Sequence, residues 1–150
     1  MSGQLTITQL EQKANEVRKS IITMLERAGS GHSAGPLGLA DLVTTLYFRI
    51  MNVDPRNVDD APRDIFLMSN GPCVPVPYAV RAERGYFDKQ ELLTLRQLGS
   101  RLQGHPERTK LPGLENTSGP LGCGIGQGAG YAYALQYLDH QPHRWVYVVT

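Results

Sequence analysis

Asp64-Ile65-Phe66-Leu67-Met68-Ser69-Asn70-Gly71 is the stretch that decides the fold. A short, unbroken apolar run closed by turn-forming residues suits a strand buried on both faces, as in a parallel sheet. Ser69-Asn70-Gly71 then lies at the strand's carboxyl end, where open α/β sheets bind their ligands. A second run, Trp145-Val146-Tyr147-Val148-Val149-Thr150, is β-branched and aromatic and reads as another strand. The residues around and between the two runs carry helical periodicity, so the class is α/β, a parallel sheet flanked by helices.

The first helix is marked by Leu10, Ala14, Val17, Ile21, Leu25 and Ala28 at steps of three or four. Thr8 and Glu11 have capping-box spacing at its start, and Gly29 and Gly31 stop it. A second helix is predicted from about Pro36 to Met51, with Leu39, Leu42, Val43, Leu46, Tyr47 and Ile50 inward and Pro36 in the first turn. Asn52 to Pro62 reads as a polar loop. Helical pattern resumes around Tyr78 to Arg84, ending at Gly85, and again from Asp88 through Leu92, Leu95 and Leu98, where Asp88 and Glu91 suit a capping box.

Gly99 to Gly119 is polar and rich in turn formers, a long loop of the kind that is functional or disordered. Gly122 to Asp139 reads as a helix with a small-residue face of Gly122, Gly126, Ala129 and Gly130, with Ala132 and Ala134 beyond. Glycine costs about 1 kcal/mol relative to alanine inside a helix, so this face implies close packing or a nearby cofactor. Gly124 to Ala129 also fits the G-x-G-x-x-A dinucleotide fingerprint, but no strand precedes it and no acidic residue follows about 20 positions on, so that reading is set aside.

Composition excludes several classes. The chain has 150 residues, 41% of them hydrophobic, enough for one domain with a real core. Fifteen basic and fourteen acidic residues leave a formal charge of +1, which points to neither nucleic acid nor a membrane surface as the main partner. Cys73 and Cys123 lack metal-ligand spacing and are too few to staple the domain, which fits a reducing compartment. The amino terminus has no apolar signal-peptide core and no run has membrane-span length, so the default localisation is cytoplasmic.

Four glycine-flanked turns follow one another in order: Gly31-His32-Ser33-Ala34-Gly35-Pro36-Leu37-Gly38; Ser69-Asn70-Gly71 after its strand; Gly104-His105-Pro106-Glu107; and Thr117-Ser118-Gly119-Pro120-Leu121-Gly122-Cys123-Gly124. Singly, each has a structural reading: a hydrogen-bonded surface histidine, a strand-end cap at Ser69 and Asn70, a tight entry into a packed helix at Gly119 to Gly124. Together they resemble the amino-terminal thiamine-diphosphate domain of transketolases, from about residue 10 to 150. On that resemblance residues 1–150 are the amino-terminal part of such a domain, an incomplete thiamine-diphosphate-binding fold. The GHPE and GPLG turns favour transketolase over deoxyxylulose phosphate synthase or dihydroxyacetone synthase.

The resemblance implies roles residue by residue. His32 and His105 match the histidines that face the sugar and the reacting carbon, and are the candidate catalytic residues. Imidazole suits proton transfer because it ordinarily titrates near neutrality. Gly119, Pro120 and Leu121 match the segment lining the cofactor's rings, and Ser69, Asn70 and Gly71 are the remaining cofactor-binding candidates. The implied cofactors are thiamine diphosphate and magnesium, and the implied substrates are sugar phosphates.

Two departures accompany the matches. Pro72 stands where transketolases place a third histidine, near the diphosphate, and proline has no side-chain donor or acceptor. The Gly-Asp-Gly turn and asparagine that hold magnesium in the family are expected downstream of Thr150, so no metal ligand is assigned here. Activity therefore implies a homo- or hetero-oligomer in which another domain, the pyrimidine-binding one, completes the site. The alternative is a non-catalytic, transketolase-derived binding protein. The bare edge of the final strand and the small-residue helix face imply association or marginal folding.

Overall fold

The computed structural model describes residues 5–58 and 62–150. Residues 1–4, and 59–61 of the loop expected over 52–62, lie outside the described part.

β1 (Ile65–Met68) and β2 (Val146–Val149) pair in parallel, Ile65 beside Val146 and Met68 beside Val149. Side chains alternate across the pleat. Phe66 and Met68 enter the main core with Val17, Ile21, Val43, Tyr47 and Val80, whereas Ile65 and Leu67 pack with Leu135, Tyr131, Val146 and Val148. The sheet is thus covered by helices on both faces, the α/β arrangement expected of a parallel sheet.

On the main-core side lie α1 (Ile7–Ala28), α2 (Ala34–Gly38), α3 (Ala40–Thr45) and α4 (Pro75–Arg84). The capping box of α1 is formed by Thr6 and Gln9, not Thr8 and Glu11. Gln9 N–H donates to Thr6 Oγ1 at 3.3 Å and the Thr6 N–H to Gln9 Oε1 at 2.9 Å, so the helix begins two residues earlier than that pair requires. Gly29 ends α1 at φ 63°, a left-handed position that glycine takes without a Cβ clash.

The single helix expected over Pro36 to Met51 is three pieces. α2 stops at Gly38, Leu39 sits between helices, and α3 widens into a π-helical turn over Leu46–Ile50. This resets the helical phase, so Leu42 and Ile50, expected inside, face solvent.

α4 starts at Pro75, three residues before the predicted Tyr78. Pro75 and Pro77 occupy its first turn, where backbone N–H groups have no intrahelical acceptor, so they help start the helix. The segment after Asp88 is a 3₁₀ helix over Lys89–Thr94, capped by Asp88 Oδ1 on the Gln90 N–H at 2.8 Å. It ends well short of Leu98, which is fully exposed.

The long segment from Gly99 is pinned to the body by buried Leu102, Leu111, Leu114, Asn116 and Ser118. α5 (Cys123–Tyr133), extended by a π-helical turn over Ala134–Leu138, covers the other sheet face. Its packing face is not the one expected. Gly124 and Gly128 are buried against Ser69 and Val148, while a Cβ on Gly126 or Gly130 would meet nothing within 4 Å. Among the described residues no helix is long and apolar enough to cross a membrane.

Candidate active site

The site forms where β1 ends. Ser69 is fully buried, and its Oγ accepts the Gly124 N–H at 3.2 Å, fastening the amino end of α5 to the strand's carboxyl end. Asn70 and Gly71 then turn into a 3₁₀ turn over Gly71–Cys73, held by Cys73 N–H to Asn70 O at 2.8 Å and Val74 N–H to Gly71 O at 3.0 Å. Gly71 is required here by close approach. A Cβ would lie 2.8 Å from the Ser118 carbonyl carbon and oxygen and 3.0 Å from Gly119 N. Gly71 is thus brought directly against Ser118 and Gly119, and Ser69 against Gly124, at the two ends of the turn that carries Gly119, Pro120 and Leu121, the last of which is exposed.

The two candidate histidines converge from opposite ends of the chain. His32 lies between α1 and α2, and His105 follows Gly104. Their ring centroids are 6.3 Å apart with planes at 70°, and both are exposed. The His105 turn is tied to the Gly119 turn by Ser118 N–H to Pro106 O at 3.1 Å and by Arg108 N–H to Thr117 Oγ1 at 3.1 Å. The turn carrying His32 is tied to the end of β1 at Gly35, where a Cβ would fall 2.5 Å from Cys73 Sγ. Burial pushes the Cys73 thiol up from its ordinary value, so it is a packing group rather than a thiolate.

Beside His105 opens a hollow of about 470 Å³, lined also by Arg96, Glu107, Thr117 and Ser118. The Thr109 backbone N–H, then its hydroxyl, hold the Glu107 carboxyl below its ordinary range, so Glu107 is an ionised acceptor already occupied by its own turn.

Asn116 is a structural member of the site that sequence reasoning did not single out. Its Oδ1 accepts the Met68 N–H at 3.3 Å while its Nδ2 donates to Met68 O at 3.1 Å and Gln127 Oε1 at 2.9 Å. It does for that edge of β1 what a neighbouring strand would do. Only its nearness to the Thr117–Gly119 turn could have drawn attention to it.

The structure offers one direct check on cofactor fit. Asn70 Oδ1 is a buried acceptor without a partner among the described residues, at the junction of the two cofactor-candidate turns. A buried polar atom left unpaired is costly and is expected where a ligand completes the bonding. Small residues, close backbone approach and an open acceptor fit a heteroaromatic cofactor. Among the described residues no group of three or more His, Cys, Asp or Glu side chains could hold a metal.

Residues 10–145 match the family model of the transketolase thiamine diphosphate binding domain. The chain belongs to the transketolase family. Among curated relatives it is 36% identical over 134 residues to a 6-deoxy-6-sulfo-D-fructose transketolase subunit of Clostridium sp. (strain MSTE9), covering 89% of this chain and 48% of that one. It is 34% identical over 147 residues to an apulose-4-phosphate transketolase subunit of Actinobacillus succinogenes, covering 97% and 52%. The transketolase of Leishmania mexicana superposes with a TM-score of 0.87 at 35% identity, covering 93% of this chain and 22% of that one. The chain thus spans about half the length of these two curated relatives. The fold class and the family expected from the ordered turns both hold.

Proposed function

We propose that this chain forms the thiamine diphosphate side of a transketolase and, with a partner segment or subunit supplying the pyrimidine-binding domain, transfers a two-carbon ketol unit between sugar phosphates. The observation that carries the reading is the meeting of His32 and His105, 73 positions apart in sequence, with ring centroids 6.3 Å apart, His105 also lining the hollow. Ser69, Asn70, Gly71, Gly119, Pro120 and Leu121 would hold the cofactor, with Asn70 Oδ1 open to one of its donors. Thiamine diphosphate, when bound, supplies the thiazolium carbon that carries the two-carbon unit. The chain's own part is to orient the sugar and to move protons at its hydroxyl and carbonyl oxygens through the nitrogens of His32 and His105.

Partner dependence is supported by the subunit names of two relatives and by the apolar surface this chain presents. Ile125, Tyr137, Leu138 and Trp145 are each more than half exposed along α5 and the start of β2. Magnesium, if bound, would offset the diphosphate's charge and would draw its oxygen ligands from outside the described residues. We place the complex in the cytoplasm, in keeping with two free cysteines.

The test is reconstitution with a protein carrying the remaining transketolase domain. The expected result is no ketol transfer by the chain alone, cofactor-dependent transfer in the complex, and a loss of about 10²-fold or more in His105→Ala. Turnover by the isolated chain, or failure of a stable complex to bind thiamine diphosphate, refutes the reading.

A non-catalytic derivative is the second reading, and Pro72 favours it. Pro72→His in the reconstituted complex separates the two. Activity appearing only in Pro72→His supports the derivative, and activity already present with Pro72 eliminates it.

A further inference from the structure

We infer that Arg96 is the positioning residue of the histidine pair, its guanidinium lying over the glycine that precedes His105 and its stem bordering the glycine that precedes His32. This rests on reading that pair as the reacting one. Arg96 is one of two non-glycine residues at positive φ among those described, at 62°. Such a conformation persists in a non-glycine residue only where its surroundings over-determine it.

The surroundings are specific. Fully buried Leu95 precedes it, and its N–H donates to the carbonyl of fully buried Leu102 at 3.0 Å, so the backbone is clamped between two core anchors. From there the side chain reaches both turns. A Cβ on Gly104 would lie 2.7 Å from Arg96 Nη1, 3.1 Å from Cζ and 3.4 Å from Cγ. A Cβ on Gly31 would lie 2.5 Å from Leu25 Cδ2, with Arg96 Cδ behind it at 4.0 Å. The guanidinium therefore occupies the space that the missing side chain of Gly104 leaves open, one residue before His105, while at Gly31 Leu25 fills that space and the Arg96 stem borders it.

Charge pairing does not explain this placement. Arg96 takes part in none of the ion pairs among the described residues. It also lines the hollow beside His105 and is exposed, so burial does not hold it either. What remains is shape. A long side chain laid over the Gly104 backbone, its stem bordering Gly31 beside Leu25, fixes how far apart the two turns stand, and with them the two rings.

The test uses the 150-residue chain and the ring resonances of its four histidines, with His140 and His143, on the segment after α5, as internal controls. In Arg96→Ala, a folded protein should lose the His32–His105 ring cross-peak and shift both rings, leaving His140 and His143 in place. Arg96→Met keeps the stem without the charge and should retain the cross-peak. In the reconstituted complex, Arg96→Ala should lower kcat at least tenfold with KM changed less than threefold, and Arg96→Met should recover most of it.

Unmoved His32 and His105 rings in folded Arg96→Ala overturn the inference, as does a folded Arg96→Met that loses the cross-peak. Should Arg96→Ala fail to fold, Gly104→Ala decides, because its Cβ must displace the guanidinium. The His105 ring must then move, and an unmoved ring overturns the inference. A ring result as expected, together with a complex that binds no thiamine diphosphate, would sink the proposed function while leaving this geometry standing.

Discussion

Replacing Gly124 by alanine tests the junction between fold and site. Its Cβ would fall 2.7 Å from both Cα and Cβ of Ser69 and 3.0 Å from Ser69 Oγ. Because one of these atoms is backbone in a buried strand end, no side-chain rotation relieves the contact. α5 must move away by roughly 0.7 Å or more to reach ordinary carbon–carbon separation. Overpacking of this kind costs about 1–3 kcal/mol, while replacing a helical glycine by alanine returns about 0.8–1 kcal/mol. The net expectation is a loss of about 0–2 kcal/mol. Gly126→Ala isolates the propensity effect, because its Cβ meets nothing within 4 Å, and should stabilise by about 0.8–1 kcal/mol. Urea unfolding of the two variants should therefore differ by about 1–3 kcal/mol, the packing cost alone. At about 2–4 °C per kcal/mol, thermal midpoints should separate by roughly 2–12 °C. Moving α5 also strains the hydrogen bond from the Gly124 N–H to Ser69 Oγ, so the amide resonance of residue 124 should shift and its hydrogen exchange quicken. Equal stabilisation by Gly124→Ala and Gly126→Ala would refute the claim that α5 is held against β1 by a missing side chain.

Asn116→Ala should cost about 2–4 kcal/mol, since it leaves both polar groups of the Met68 backbone unpaired in a buried place, and denaturant unfolding reads the loss directly. Glu83 supplies a pH dependence. Burial opposes its ionisation, but hydrogen bonds from Lys89 and Lys13 outweigh burial and hold its carboxyl below the ordinary value. Its stabilising contribution is therefore present above the unfolded value near 4.3 and is lost as pH falls through the lower folded value. Unfolding of wild type and Glu83→Gln should differ most above pH 5 and converge in acid; curves that stay parallel would refute this. Arg81 is almost fully buried and, among the described residues, has Nε and Nη1 unpaired, one hydrogen bond of 2.7 Å to Gly113 O, and the rings of Tyr47 and Phe66 at 5.3 and 5.9 Å. Among the described residues no carboxylate pairs with this buried cation, so Arg81→Met should raise the urea midpoint, and a loss above about 2 kcal/mol would show that ring stacking outweighs desolvation.

The sequence made the two strands and the four turns readable because each rests on local chemistry: an unbroken apolar run, a β-branched run, glycine beside a polar residue. Element starts were harder where two local signals competed. Thr6 and Gln9 have the same spacing as Thr8 and Glu11, and only the extended conformation at Thr6 selects between them. The π-helical turn at Leu46–Ile50 has no sequence marker, and it alone moves Ile50 outward. The α5 glycines show the same limit. Alternate glycines face opposite sides, and which side meets the sheet depends on the turn at Gly122, not on the glycines themselves. Asn116 and Arg96 escaped notice because each acts on backbone distant in sequence, Met68 in one case and Gly31 in the other.

Pro72 is where sequence and structure together go further than either. From sequence, proline at this position is a loss of a side-chain donor and of a backbone N–H. In the structure the backbone loss is free: Pro72 sits at the start of the Gly71–Cys73 turn, and the turn is closed by the N–H groups of Cys73 and Val74, not by residue 72. Proline's fixed φ suits such a start. The turn that presses Gly71 against Ser118 is accordingly intact, and so is the convergence of the four motifs. Whatever Pro72 removes is confined to the missing imidazole. Pro72→His should then fold with a thermal midpoint within a few degrees of wild type and leave the His32 and His105 resonances in place. A large loss of stability in Pro72→His would mean that the surrounding turn has been reshaped around proline, and that this position can no longer host the family's third histidine.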